Sequence, residues 1–182
     1  MPATLVQALG FLLGVFLAIV LLTPLGARGD TGSPAFTVTT TQSSAEAERL
    51  ARLERALHET VNEWRQGRNL IRLLRMPELD AVARRHSEDM ATRGYFSHET
   101  PEGANPVDRI LAGGVGDFSL AAENVGMTSR ARPNAEVFGG WLHSKDHYEN
   151  LSAPAFNATG IGIARRADGT LYYTQVYVTF PR

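Results

Sequence analysis

Apolar residues recur along the chain with two different periods. Between residues 44 and 66, Leu50, Leu53, Leu57, Val61 and Trp64 fall every three or four positions, the spacing of one helix face. Ser44 stands where a hydroxyl can cap the first turn, Glu46 and Glu48 complement the helix dipole, and Gly67 ends the pattern. Pro77 opens a second helix with Leu79, Val82, Ala83, His86 and Met90 on its inner face and Gly94 at the left-handed cap. Asn105-Pro106-Val107-Asp108 reads as a capped short helix through Leu111. Asn134 starts a fourth helix with Ala135, Phe138, Trp141 and Leu142 on one side; it breaks near Ser144 and restarts around His147. The rest is extended. Glu123–Met127 is a short segment, while Gly160–Ala164 and Leu171–Phe180 are rich in β-formers and joined through Asp168-Gly169, a hairpin signal. Helices first and an antiparallel hairpin last predict an α+β layered domain rather than a βαβ fold.

The first 29 residues follow another rule. Residues 8–22 are an unbroken apolar run of 15. That is shorter than a membrane span of about 20 residues, and it fits the core of a signal peptide. Ala27-Arg28-Gly29 supplies a small-x-small cleavage pattern, but no Lys or Arg precedes the run. Counted from Leu5 to Leu25, the same stretch can serve as an uncleaved membrane tether. Residues 1–29 are therefore read as a signal peptide or N-terminal anchor, 30–44 as a polar linker, and 45–182 as the folded domain. Either way the domain is expected outside the cytoplasm, whether extracellular, periplasmic or membrane-tethered.

Composition removes several classes of function. A chain of 182 residues, 43% hydrophobic and 20% charged, is globular, and its net charge of −1 gives no electrostatic case for nucleic acid. The absence of cysteine excludes disulfides, thiolate metal sites and a cysteine nucleophile. No nucleophile elbow, phosphate loop or dinucleotide fingerprint occurs, which leaves a serine hydrolase, a kinase and an oxidoreductase without support.

The chemistry that remains is carried by histidines and a carboxylate. His98 lies in a turn framed by serine, proline and glycine, a setting suited to metal ligation, proton transfer or a turn-stabilising hydrogen bond. Glu123 follows the apolar patch Leu120–Ala122, so its carboxylate is either buried and paired or a ligand. His143 and His147 are four apart and would share one helix face, but Ser144 stands where a zinc protease carries its glutamate. His86 belongs to an apolar face and reads as a satisfied core histidine.

Taken in order, these segments resemble the CAP superfamily of cysteine-rich secretory, antigen 5 and pathogenesis-related proteins, and within it the bacterial SCP-like extracellular branch. The resemblance rests on Asn62-Glu63-Trp64-Arg65, on ELDAVARRHSEDMATRGYFSHETPEG at 78–103 and on Asp108-Arg109. It continues through Glu123-Asn124-Val125, Trp141 with Ser144, His147 and Asn150, then GIGIA and YYTQVY, and covers about residues 50–182. It implies an α-β-α sandwich with a small antiparallel sheet between helical layers, and a cleft of two histidines and two acids that holds a divalent metal in some members. The first histidine matches His98 and the first glutamate Glu123. Ser144 stands at the second acid and Tyr172 at the second histidine, while the bacterial branch carries a histidine that matches His147. The resemblance thus implies a cleft of His98, Glu123, His147, Ser144 and Tyr172, with His98 and His147 as candidate ligands of a divalent metal such as zinc.

Two functions follow from that cleft. One is a non-catalytic binding or envelope-interaction module for a sterol-like lipid, another small apolar molecule or an envelope component, with no required cofactor. Tyr95, Phe96, Phe118, Trp141 and Tyr148 are the aromatics available to line it. The other is a metal-dependent hydrolase, a protease or peptidoglycan-acting enzyme, with Glu123 as general base on a metal-bound water. A structural or adhesive role would need only hydrogen bonds from the same residues. Oligomeric state is not encoded in any of these features.

Overall fold

The computed structural model describes residues 35–181, with side chains from residue 43. The apolar run at 8–22 lies outside the described residues. Nine elements follow in the order α1 (Ala35–Gln66), β1 (Leu74–Arg75), α2 (Pro77–Arg93), α3 (Pro106–Ala112), β2 (Leu120–Thr128), α4 (Pro133–His143), α5 (Lys145–Ser152), β3 (Ala158–Arg165) and β4 (Leu171–Thr179). The four strands form one sheet in the order β1-β3-β4-β2. No helix among the described residues is long and apolar enough to cross a membrane.

The alternation of side chains along β4 divides the core in two. Leu171, Tyr173 and Tyr177 pack with Ile161 and Ile163 of β3 against Leu57 and Val61 of α1, Trp141 of α4 and Leu151 of α5. Val176 and Val178 face the other way, with Leu79, Val82 and Ala83 of α2 and Ile110 of α3. Helices therefore cover both faces, which makes the α+β sandwich.

Close approach of α2 to β3 depends on glycine. A Cβ at Gly162 would lie 2.0 Å from the backbone nitrogen of Arg84, and one at Gly160 would lie 2.1 Å from the carbonyl carbon of Leu79. Any side chain there would push the helix off the sheet.

Three expectations are corrected. Helix α1 begins at Ala35, so most of the 30–44 stretch read as a linker is helical and Ser44 falls inside the helix. Its Thr-rich sequence carries no amphipathic signal, yet extending an existing helix needs no new nucleus. The sheet is mixed rather than purely antiparallel, because the two-residue β1 pairs parallel with β3; a strand that short leaves no period to read. Helix α4 begins at Pro133, one residue before the proposed cap. Asn134 instead donates to the Leu53 carbonyl at 2.8 Å and accepts from the Tyr173 hydroxyl at 3.1 Å, joining α4 to α1 and β4.

Candidate functional site

The site is assembled on β2, the edge of the sheet. Glu123 shares its side of that strand with Ala121 and Val125, the side packed toward α2 and α3. Its side chain is 1% exposed. His98 arrives on the turn after α2, and His147 arrives on α5 from the opposite helical layer. The two rings meet with centroids 6.2 Å apart.

Local sequence sets these positions. Gly94 adopts φ 71° and closes α2 by donating its N–H to Met90, which turns the chain toward Ser97 and His98. Asn105 and Asp108 form a reciprocal capping box that starts α3 and places Arg109 one residue later. Helix α4 ends at His143, and Ser144 is the extended residue from which α5 starts.

Both oxygens of Glu123 accept hydrogen bonds from protein groups. Its Oε1 accepts from Nδ1 of His98 at 2.9 Å, and its Oε2 accepts from a terminal nitrogen of Arg109 at 2.6 Å. The other terminal nitrogen of Arg109 donates to the carbonyl oxygens of His98 and Ala104, each at 2.8 Å. His86 lies behind the carboxylate, with Nε2 at 3.9 Å from Oε1, and donates from that nitrogen to the Ser97 carbonyl at 2.9 Å. Burial holds the His86 pKa below its ordinary value, against the opposite pull of Glu123, so the ring is neutral at pH 7. Burial and the charge of His98 lower His147 in the same sense.

The outer edge of β2 is closed by side chains of α4 and α5. Trp141 donates its indole N–H to the Val125 carbonyl at 2.8 Å, and Asn150 donates to the Glu123 carbonyl at 3.1 Å. Asn150 also donates to the Asn124 side chain at 2.9 Å, and Asn124 in turn donates to the His147 carbonyl at 3.1 Å. The strand edge is thus paired without another strand.

Of the residues expected in the cleft, His98, Glu123 and His147 come together. Ser144 lies beside His147 on the wall of an adjoining groove that also includes Val125, Met127 and Trp141. Tyr172 does not join them. It is buried with Met90, Val125 and Ala164, and its hydroxyl accepts from Arg166. His143 is separated from His147 by the helix break at Ser144; it is exposed and contacts the Gly139 carbonyl at 2.7 Å. Arg109 and Asn150, which the resemblance includes without giving them a role, hold the site together.

Residues 58–177 match the Cysteine-rich secretory protein (CAP) family. The chain belongs to the CAP family. Among solved structures this CAP chain is similar to an extracellular protein containing an SCP domain from Bacillus anthracis, with 30% identity and a TM-score of 0.63 over 71% of this chain and 41% of that one. An outer surface protein from Borrelia burgdorferi shares the fold at 20% identity and a TM-score of 0.65, over 71% of this chain and 94% of its own. Two Bacillus subtilis relatives also match. YkwD is 28% identical over 130 residues, and the membrane protein YlbC is 36% identical over 97. The CAP chain spans 49% and 26% of their lengths.

A divalent ion held jointly by His98, Glu123 and His147 does not fit this CAP site. The guanidinium of Arg109 occupies one oxygen of the carboxylate and places a positive charge where the ion would add two more. Among the described residues no group of three or more His, Asp or Glu side chains is arranged to hold a metal.

Proposed function

We propose that the chain is the binding domain of an exported CAP protein, a non-catalytic module that holds a small apolar ligand in the groove beside His147. The observation that carries this reading is the engagement of Glu123. A general base needs a lone pair directed at a water. Here both carboxylate oxygens accept hydrogen bonds from protein groups, and the side chain is closed to solvent. That counts against a hydrolase in which Glu123 activates a metal-bound water.

The groove adjoining His147 has a volume of about 270 Å³; Val125, Met127, Val137 and Trp141 supply its apolar lining, and Glu136 and Ser144 also line it. Met127 is 51% exposed there. Phe96, two residues before His98, and Tyr148, the neighbour of His147, are also among the exposed large apolar side chains. Trp141 is 2% exposed and packs in the core, so it supports the groove from beneath. Export is supported by the apolar run at 8–22 and by the extracellular B. anthracis neighbour.

Titration of the full chain with a fluorescent sterol and a fluorescent fatty acid tests the reading. Saturable binding of one probe is expected. Met127→Glu should weaken it by about tenfold, the equivalent of ~1.4 kcal/mol, with the fold intact. A folded chain that binds neither probe would overturn the reading.

A further inference from the structure

A second opening lies at one end of the sheet, between the loop that joins β2 to α4 and the turn of the β3–β4 hairpin. It has a volume of about 450 Å³, within the size range of small-molecule sites. The loop supplies Arg130 and the turn Arg166, and no carboxylate lines the opening. The two side chains are 75% and 46% exposed, so both are open to a ligand. An adjoining opening shares Thr128, Ser129 and Arg130 and adds Arg49 and Arg165. Four arginines and one carboxylate, Glu46, thus line the two openings. On a chain with a net charge of −1, that is a local reversal of sign.

The two guanidiniums at the first opening are loosely held. Arg130 pairs with Glu136 at 3.8 Å and Arg166 with Asp168 at 3.7 Å. Both separations exceed a hydrogen bond, and exposed pairs of this kind contribute little. The Arg130 side chain makes no hydrogen bond among the described residues, and Arg166 makes one, at 3.4 Å to the Tyr172 hydroxyl. Most of their N–H donors are therefore left to solvent or to a ligand. Asp168 is committed to the hairpin turn, where it accepts from the Thr170 backbone N–H at 2.9 Å. Thr128 and Ser129 add hydroxyls to the lining, and Thr128 also fixes the loop by accepting from the Arg130 backbone N–H at 3.1 Å. Two planar fork donors from separate segments, with hydroxyls beside them, offer more donors than a carboxylate can use and suit a tetrahedral anion.

We propose that the opening between the β2–α4 loop and the β3–β4 turn binds a phosphate group, with Arg130 and Arg166 donating to its oxygens. A phosphate monoester carries about −1.5 to −2 charges at pH 7, which two guanidiniums match. The group can belong to a free phosphate or to the head of an amphiphile, because Met127 lines both this opening and the groove beside His147. The site rests on its own arginines and does not depend on the ligand of that groove.

The test uses the full ¹⁵N-labelled chain, titrated with inorganic phosphate and, separately, with acetate at matched ionic strength. Phosphate should move the amide resonances of Ser129 and Thr170 saturably, with a Kd of about 1 mM, and acetate should bind at least about tenfold more weakly. Arg130→Gln and Arg166→Gln should each weaken phosphate binding about tenfold with an unchanged melting temperature. Arg85→Gln removes an exposed arginine that lines a different opening and should leave binding intact. Hexyl phosphate distinguishes the two sources. Binding about tenfold tighter than inorganic phosphate, with the gain lost in Met127→Ser, assigns the head of an amphiphile, and equal binding assigns a free phosphate. The absence of a saturable shift, equal affinity for acetate and phosphate, or undiminished binding in both Arg130→Gln and Arg166→Gln would each overturn the proposal.

Discussion

Arg109 donates to the buried carboxylate of Glu123 at 2.6 Å while another of its nitrogens carries the carbonyl oxygen of His98 at 2.8 Å. One guanidinium thus neutralises the carboxylate and fixes the turn that presents His98. Replacing it with leucine would leave a charge that is 1% exposed without its cation. Breaking such a pair from one side costs ~3–5 kcal/mol, whereas replacing both members is often close to neutral. Urea denaturation should therefore find Arg109→Leu strongly destabilised and Arg109→Leu/Glu123→Leu substantially recovered. Equal loss in the single and double variants would show that the carboxylate has another role in stability.

Trp141 supplies a partner to the edge strand as well as bulk to the core. Its indole N–H is bonded to the Val125 carbonyl, and its ring is buried among the α1, α4 and β4 side chains. Trp141→Phe keeps most of the apolar surface and removes the donor. An unsatisfied buried carbonyl costs ~1–3 kcal/mol, which is the loss expected in denaturant titration. Hydrogen exchange should rise first along β2, because that strand loses its edge partner. Stability and exchange equal to the parent chain would refute this account of the edge.

Much of this arrangement is legible in the sequence, and the legible parts share a cause. The inner face read for α2 (Leu79, Val82, Ala83, His86 and Met90) is buried as expected, and Gly94 adopts the left-handed cap. These features are set within one turn of helix. The Asn105 cap, the break at Ser144 and the Asp168-Gly169 hairpin are local in the same way. What cannot be read is long-range. Arg109 and Glu123 are fourteen residues apart, and the carboxylate's partners become visible only when α3 packs beside β2. The start of α1 is hidden for a different reason, since the sequence of its first turns carries no apolar stripe that a periodicity could reveal. Tyr172 enters the cleft by resemblance alone, while strand alternation puts it under α2, in the core beside Met90.

The two histidines with lowered pKa values make stability fall on the acid side. Both His86 and His147 bind a proton less readily in the folded chain than an ordinary histidine does, chiefly because of burial. On acidification the unfolded chain therefore takes up these protons first. Their contribution is fully present above the unfolded value of about 6.5 and is lost as pH falls through the lower folded values. Melting temperature should be flat from pH 8 to about pH 7 on this account and decline below pH 6.5. His86→Gln should reduce the slope of that decline. The same slope in the variant would assign the acid sensitivity to His147 or to carboxylates instead.

Zinc gives the sharpest test of how the site divides its ligands. His98 commits Nδ1 to Glu123 and keeps Nε2 free, and His147 faces it with ring centroids 6.2 Å apart. Glu123 is held by Arg109, so among the described residues two imidazoles are all that this site offers. Zinc sites normally draw three or four protein ligands. Calorimetric titration should accordingly give a Kd weaker than about 1 μM. His98→Ala or His147→Ala should remove what binding there is, and Glu123→Gln should leave it unchanged. Tight one-to-one binding that Glu123→Gln abolishes would mean that the carboxylate leaves Arg109 to ligate the ion. The engaged Glu123 would then be a resting state, and the hydrolase reading would regain its base.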